Sequence, residues 1–282
     1  MPRSVSILWA MIPLLRPILR ETGLRLERKR RVFRANCARV LGALAADDPL
    51  RAWLELPEET RYAALVRNMA DDLATLVDGD LRRLEETDPG SRSALERLRG
   101  GGLLLSAHFG NHELVARGCA EAGMRILSSA QTQKSRLAQR LLDRRRALWN
   151  APAADFSGRL FEAAARVEKG GVVGVMMDQD PGPRGADDRF FSLPCRTTRL
   201  ADALWRRAGR PPVVFGLAMT GAAERWRVVY AAGEEGEAPS DLARRTTERA
   251  VRERPDLWYG WIHRRFKSTR REIYPPARGS RP

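Results

Sequence analysis

Residues 101–114 read GGLLLSAHFGNHEL, and this stretch decides the fold predicted for the chain. The short apolar run Leu103–Ala107 follows glycines and is typical of a buried strand that leaves a turn. Gly110 then breaks the extended path, and Asn111 is a good N-cap for a helix over His112–Ala122. The stretch therefore predicts a strand, a sharp turn and a helix in immediate succession.

A histidine and a carboxylate lie at this predicted junction. His108 stands where the strand ends, and Glu113 stands in the first turn of the helix. In open α/β sheets, ligands gather at the carboxyl ends of the strands. A carboxylate that reaches the imidazole fixes its tautomer and stabilises the imidazolium once the ring takes a proton. The pair is therefore interpreted as a candidate acid–base site, with a structural histidine as the alternative.

Strands and helices alternate from residue 101 onward. The candidate strands are Leu103–Ala107, Arg125–Ser129, Val172–Met177, Pro212–Met219 and Trp226–Tyr230. The candidate helices are His112–Ala122, Lys134–Trp149, Gly158–Lys169, Thr198–Gly209 and Pro239–Arg254. This alternation predicts a largely parallel central sheet flanked by helices.

The part of the chain before residue 101 has helical periodicity instead. The candidate helices there are Phe33–Ala45, Glu58–Leu84 and Ser93–Leu98, with residues 88–91 read as a loop. The predicted fold class is therefore α/β with an α-helical N-terminal region. The 282 residues, 43% of them hydrophobic, suffice to bury a sizeable core. The cysteines, which lack metal-ligand spacing, are predicted to be buried free thiols.

The net charge of +15 is concentrated at the two ends of the chain. Residues 1–40 carry 10 basic and 2 acidic side chains, residues 244–282 carry 12 and 4, and the stretch between is nearly neutral. Such ends suit an anionic membrane surface, an acidic protein or phosphates, unless the charge is only solvated surface. Nucleic acid is disfavoured because the ends carry no recognisable reading motif. We therefore expect an anionic membrane surface as a partner and no nucleic acid.

The N-terminal stretch Val5–Leu19 is apolar but too short to cross a bilayer, and two prolines and an arginine interrupt it. It can lie in the membrane interface, with the basic residues that follow it on anionic lipid. Alternatively it packs on the protein's own body. The predicted organisation is a membrane-associating helical segment over residues 1–45 and a second domain over residues 46–282.

A second candidate site wall follows the predicted strand Val172–Met177. Asp178 and Asp180 come directly after that strand and before a rigid Pro-Gly-Pro turn. The alternative is that the two carboxylates only accept hydrogen bonds from backbone amides of the turn. A third candidate is the run 144–146, three arginines at the end of a helix, where cations complement the dipole or contact an oxyanion.

Metal and cofactor chemistry is not predicted. His108 and His112 are four residues apart beside Glu113, but a glycine and an asparagine lie between them where a zinc-binding helix needs continuity. His263 is the one remaining histidine. A Gly-rich phosphate loop, a dinucleotide fingerprint and a nucleophile elbow are all missing from the sequence, so no cofactor is expected.

Four blocks of sequence, taken together, resemble one known family. His108 to Glu113 fits a His-x4-Glu motif, and its surroundings are similar to the bacterial lipid A biosynthesis (late, lauroyl/myristoyl) acyltransferase family. The other blocks are VMMDQDPGP at 175–183, FFSLPCRTT at 190–198 and PDLWYGWIHRRFK at 255–267. His-x4-Glu alone is a weak pattern, whereas four blocks in order are specific. The resemblance spans roughly Arg30 to Lys267.

This resemblance implies a glycerolipid acyltransferase-like fold and an O-acyltransferase. The donor is an acyl-carrier-protein or acyl-CoA thioester, and the acceptor is a hydroxyl of a lipid A precursor or related glycolipid. His108 is implied to be the general base and Glu113 the carboxylate that orients it. Backbone amides at Gly110 and Asn111, or an arginine, are implied to hold the oxyanion. The arginine candidates are Arg145 and Arg146. Asp178 and Asp180 are given supporting roles in the site.

The resemblance also implies a peripheral or monotopic location at the cytoplasmic face of the bacterial inner membrane. His112 departs from the family, which commonly has tryptophan at that position, so packing of the acceptor or acyl chain differs. Acylation of a phosphatidylinositol mannoside, an aminolipid or a lysophospholipid stays open. So do hydrolysis of the thioester and a non-catalytic lipid- or nucleic-acid-binding function, for which His108 and Glu113 are dispensable.

Overall fold

A six-stranded sheet organises the chain in the computed structural model, which describes residues 21–78, 87–130, 136–156, 158–220 and 226–276. The apolar stretch predicted over residues 5–19 lies outside these ranges. The sheet strands are β1 (Gly102–Ser106), β2 (Ile126–Ser129), β3 (Ala153–Ala154), β4 (Val172–Met176), β7 (Val213–Thr220) and β8 (Trp226–Ala232). Their spatial order is β3-β2-β4-β1-β7-β8, and only the β7–β8 pair is antiparallel. The predicted α/β class with a largely parallel sheet is confirmed.

Helices cover both faces of this sheet. The N-terminal helices are α1 (Glu27–Leu41), α2 (Leu50–Leu54), α3 (Glu58–Asp78) and α4 (Pro89–Glu96). Those of the alternating region are α5 (Glu113–Glu121), α6 (Arg136–Leu148), α7 (Leu160–Glu168), α8 (Leu200–Arg207) and α9 (Pro239–Glu253). Short 3₁₀ turns follow at Pro255–Leu257, Tyr259–Ile262 and Arg271–Ile273. The helical N-terminal region is confirmed as well.

Helix α4 begins earlier than the sequence predicts. Residues 88–91 were expected to form a loop, but Asp88 is the N-cap and Pro89 occupies the first helical turn. The Asp88 carboxylate accepts hydrogen bonds from the Ser91 backbone N–H at 2.9 Å and from the Ser91 hydroxyl at 2.7 Å. An aspartate followed by proline is a favourable helix start, and here that signal outweighs the turn preference of the glycine.

A hairpin outside the main sheet was not predicted. Strands β5 (Ala186–Phe190) and β6 (Leu193–Thr197) pair antiparallel across the two-residue turn Phe191–Ser192. Both turn residues have positive φ, 48° and 60°. This backbone suits a tight hairpin but is ordinarily announced by asparagine or glycine. Phe191 and Ser192 are not residue types that favour this turn, so the sequence did not predict it.

The apolar strands bury side chains on both faces of the sheet. Leu103 and Leu105 join a core cluster under α1, α3, α8 and α9, whereas Leu104 joins a second cluster under α4 and α5. Val32 and Phe33 place helix α1 in the first of these clusters. Residues 27–41 therefore share a core with the sheet, and the domain boundary at residue 45 stays a prediction.

Two sequence questions, the state of the cysteines and the presence of a membrane span, can be answered for the described ranges. Cys37, Cys119 and Cys195 are buried free cysteines, as predicted. No helix in the described part of the chain is both long enough and apolar enough to cross a bilayer.

The pairing of β1 with β4 brings the two predicted strand ends together. The strands are parallel, and Ser106 lies opposite Met176 in their register. The Met177 N–H continues the ladder by donating to the Ser106 carbonyl at 2.9 Å. Because neighbouring parallel strands advance at the same rate, His108 and Asp178, two positions further along their strands, emerge side by side.

The segment after α9 crosses this edge of the sheet and fixes the turn that follows β1. Phe109 and Trp258 form an antiparallel bridge. The Gly110 N–H donates to the Leu257 carbonyl at 2.9 Å, and the Tyr259 N–H donates to the His108 carbonyl at 2.7 Å. The residues around His108 are therefore held from two sides, by the sheet and by the C-terminal segment.

Gly110 has a left-handed backbone conformation at this turn, and a side chain there would clash with its surroundings. Its φ is +53°, and a Cβ placed there would lie 2.0 Å from the Ala218 carbonyl oxygen. Gly123 has a φ of +83° but open space around it, which makes it a matched control. We expect Gly110→Ala to lower the free energy of unfolding by at least about 3 kcal/mol, against about 1–2 kcal/mol for Gly123→Ala. Urea denaturation measures both; equal losses would contradict the close approach of Ala218.

Candidate active site

His108 lies at the carboxyl end of β1 and is bound by Asp178 rather than by Glu113. The His108 Nδ1 is 2.8 Å from Asp178 Oδ1, and the His108 backbone N–H donates to Asp178 Oδ2 at 3.0 Å. The Asp178 side chain is 1% exposed, while the His108 side chain keeps 23% of its surface open. The ring is therefore fixed from the inside and reachable from the outside.

The C-terminal segment completes the surroundings of the carboxylate. The Trp258 indole N–H donates to Asp178 Oδ2 at 2.9 Å, so Asp178 accepts three hydrogen bonds in a buried site. An ionised carboxylate has no proton to donate, so Nδ1 of His108 carries the hydrogen of this pair. Nε2 is then the acceptor nitrogen of the ring, and the Gln179 side-chain amide lies 3.2 Å from it.

Electrostatics favour the charged forms of both partners. Burial by itself raises the pKa of Asp178, but the charge of His108 and the hydrogen bonds from His108 and Trp258 outweigh burial and hold that pKa well below its usual range. Burial by itself lowers the pKa of His108, and here the charge and hydrogen bond of Asp178, with a contribution from the Glu113 charge, outweigh it and raise that pKa. The pair is suited to hold a proton on the ring.

Glu113 makes a different contact from the one expected. It was assigned to orient His108, but its carboxylate binds Arg146 through two hydrogen bonds, Oε2 to Nε at 2.9 Å and Oε1 to Nη2 at 2.6 Å. Burial raises the pKa of Glu113, but the Arg146 hydrogen bond and the neighbouring positive charges outweigh it and lower that pKa. Glu113 therefore acts on His108 through space, by its charge, while the hydrogen bond to the ring comes from Asp178.

The remaining predicted residues fall into distinct environments. Arg146 reaches the site as the partner of Glu113, and Arg145 precedes it on α6. Asp180 accepts from the Gly182 N–H at 2.7 Å and from the Ser268 hydroxyl and N–H at 2.7 and 2.8 Å. Asp180 therefore holds the turn and the C-terminal segment together, which was the alternative considered for it.

The two residues predicted as backbone donors are both buried in the turn. The Gly110 N–H is already bound to the Leu257 carbonyl. Asn111 is not the N-cap of α5: that position is held by His112, whose side chain makes no capping bond. Asn111 is 2% exposed, and within the described residues its Nδ2 has no hydrogen-bond partner. Its side chain is thus an unused donor close to the catalytic candidate.

Two further histidines stand beside His108. The ring centroids of His108 and His112 are 5.0 Å apart, and those of His108 and His263 are 5.5 Å apart. The Gln179 Nε2 lies 3.2 Å from His108 Nε2 and 3.4 Å from His263 Nδ1. Burial and the charge of His108 lower the pKa of both His112 and His263 to about 4. Within the described ranges, no group of three or more His, Cys, Asp or Glu side chains could hold a metal ion.

Three residues of this site were not predicted as site residues from the sequence: Trp258, His263 and Gln179. Trp258 and His263 lie about 150 positions after His108, and no local spacing connects them. Their one signal was that they belong to a block shared with a family. Gln179 sits between the two aspartates that were named.

The buried histidines predict a distinct dependence of stability on pH. Between about pH 6.5 and 4 the unfolded chain protonates His112 and His263 while the folded chain does not, so the free energy of unfolding falls as the pH is lowered. His108 has a raised pKa and contributes the opposite, a stabilisation that is lost as the pH rises through that value. We expect the variant His112→Gln/His263→Gln to lose less stability across this acidic window. Urea titrations at several pH values measure this; identical slopes would contradict the assigned neutral states.

Comparison with known proteins places this arrangement in a family. A family model described as bacterial lipid A biosynthesis acyltransferase matches residues 91–268. No curated protein matches the chain. The matched range runs from α4 through the C-terminal segment and contains His108, Glu113, Arg146, Asp178 and Trp258. The chain therefore belongs to the bacterial lipid A biosynthesis acyltransferase family, and it is an acyltransferase.

Proposed function

We propose that the chain transfers a fatty acyl group from an acyl-carrier-protein or CoA thioester to a hydroxyl of a lipid A precursor or related glycolipid, with His108 as the general base. The observation that carries this proposal is the bond between buried Asp178 and the Nδ1 of His108, which leaves Nε2, on a side chain that is 23% exposed, as the nitrogen that can accept a proton. A hydroxyl is a poor nucleophile at neutral pH, so the reaction needs a base in this position.

In the proposed reaction the His108 Nε2 takes the proton of the acceptor hydroxyl. The hydroxyl oxygen bonds to the thioester carbonyl carbon, and the carbonyl electron pair moves to oxygen. When this intermediate collapses, the carbon–sulfur bond breaks and the thiolate leaves. His108 returns the proton to the sulfur, so the products are an ester and a thiol. Asp178 stabilises the imidazolium through both steps without taking its proton.

Glu113 and Arg146 have supporting parts in this proposal. The negative charge of Glu113 adds to that of Asp178 in favouring the imidazolium. Arg146 uses two of its five N–H groups on Glu113, so the ion pair fixes the guanidinium plane beside the site. We assign Arg146, with the buried side-chain amide of Asn111, to the oxyanion of the intermediate. Preorganised donors of this kind typically stabilise such charge by about 3–4 kcal/mol each.

The proposed setting is the cytoplasmic face of the inner membrane, where the chain associates peripherally or monotopically. The basic ends of the sequence support an anionic membrane surface as partner. Other lipid acceptors bearing a hydroxyl, such as a phosphatidylinositol mannoside, an aminolipid or a lysophospholipid, fit the same chemistry. Extraction of lipids from cells with and without the gene, followed by mass spectrometry, would name the acceptor by its change in acyl mass.

Acyl transfer by purified variants tests the assignment. We expect His108→Ala to slow transfer by about 10²–10⁴-fold, because it removes the base. Glu113→Gln also slows transfer, because it removes a charge and the partner of Arg146. Glu162→Gln is the matched control, since Glu162 pairs with Arg159 in the same way on an exposed helix face. Release of thiol from the acyl thioester and mass spectrometry of the lipid measure the rates.

Thermal unfolding shows whether each variant remains folded. Near-normal transfer in both His108→Ala and Glu113→Gln would refute the base assignment and favour the non-catalytic binding function.

A further inference from the structure

The cations of residues 25–34 fall into two groups. Most of them are neutralised by carboxylates on α1, on α3 or just before α1. These ion pairs are Arg25–Glu21, Arg30–Glu58, Arg31–Glu27 and Arg34–Glu58. Such pairs leave little charge for a ligand, so the first group is explained by the fold.

Arg28 and Lys29 form the second group. Together with Arg264 of the C-terminal segment, they donate to backbone carbonyls. Lys29 Nζ donates to the Ile262 carbonyl at 3.3 Å, and Arg28 Nη2 donates to the Pro276 carbonyl at 2.8 Å. Arg264 Nη2 donates to the same Pro276 carbonyl at 3.3 Å. Among the described residues, no carboxylate forms an ion pair with any of the three. Residues 1–20 and 277–282 contain no aspartate or glutamate.

These three charges lie close enough to repel one another. Burial and the charges of Arg28 and Arg264 lower the pKa of Lys29. Burial and the charges of Arg28 and Arg271 lower the pKa of Arg264. Like charges brought together and partly removed from water destabilise the folded state unless an anion joins them. Among the described residues, no carboxylate forms an ion pair that would offset this cost.

The cluster adjoins the candidate active site. Lys29 binds the carbonyl of Ile262, the residue before His263, and its charge contributes to the lowered pKa of His263. The His263 ring lies 5.5 Å from that of His108 between centroids, and Gln179 contacts both rings. A ligand held by the three cations therefore lies near the reacting groups.

We propose that Arg28, Lys29 and Arg264 bind a phosphate group carried by one of the two substrates. Guanidinium groups match phosphate oxygens in a bidentate way, and a lysine ammonium adds a compact charge. Lys29 is only partly exposed, which favours a discrete phosphate over the flat surface of a bilayer. The assignment to a substrate rests on the proposed acyl transfer, whereas anion binding by the cluster does not.

Chemical labelling of Lys29 tests anion binding without any need for activity. The chain has four lysines, so acetylation of each by an amine-reactive ester can be followed by peptide mass spectrometry. We expect inorganic pyrophosphate to slow acetylation of Lys29 by about tenfold near saturation, as charge-assisted hydrogen bonds predict. Lys169, which is exposed just before β4 begins and so at the opposite end of that strand from Asp178, serves as the internal control.

Protection should weaken in Arg264→Gln and in Arg28→Gln, and persist in Arg92→Gln. Arg92 is the matched control because it is an exposed arginine that donates to a backbone carbonyl, that of Thr87. Sodium chloride at equal ionic strength corrects for screening. Equal protection with sodium chloride, or undiminished protection in both cluster variants, would overturn the proposal.

Kinetics with trimmed substrates then identify which substrate carries the phosphate. If it is the donor, Arg264→Gln raises the KM for acyl-CoA by about tenfold but leaves that for the phosphate-free acyl-pantetheine unchanged. If it is the acceptor, the KM rises for a phosphorylated lipid and not for its dephosphorylated form. Unchanged KM values in all four cases would overturn the assignment to a substrate. Protection of Lys29 in a wild-type chain that transfers no acyl group would instead refute the proposed function and leave the anion site standing.

Discussion

The parallel pairing of β1 with β4 is the constraint on which the candidate site depends. Ser106 lies opposite Met176, and two positions further on His108 meets Asp178. The register is strongly specified, because both strands are apolar on both faces and a slip of one residue would exchange the two core clusters. The hydrophobic core therefore sets the distance between His108, the proposed base, and Asp178.

A buried carboxylate needs donors, and the C-terminal segment supplies what the sheet does not. Trp258 gives Asp178 its third hydrogen bond, and Asn36 on α1 binds the carbonyls of Trp261 and His263 at 2.8 and 2.7 Å. Bonds to a charged group typically contribute about 1.5–3 kcal/mol each, which offsets part of the cost of removing the carboxylate from water. The N-terminal helix and the C-terminal segment thus stabilise the site together.

The fold could be predicted from the sequence because apolar strands and amphipathic helices each have a local pattern of hydrophobic residues. The prediction placed His108 and Asp178 at strand ends, but it took Glu113 as the orienting carboxylate because Glu113 is near His108 along the chain. Glu113 begins α5 and binds Arg146, so its carboxylate is bound away from the ring nitrogen. Which strand lies beside β1 is decided by packing across 70 residues, and no local pattern shows it. The same is true of Trp258, whose contact with Asp178 spans 80 positions.

The central claim is that Asp178 acts on the reaction through His108. A double-mutant cycle on acyl transfer tests it most directly, with Asp178→Asn introduced into the wild-type chain and into His108→Ala. The account predicts a large loss in the wild-type background, on the order of 10²-fold or more, and almost no further loss once His108 is gone. Equal losses in both backgrounds would contradict it, because Asp178 would then support the fold or the substrate independently of the histidine.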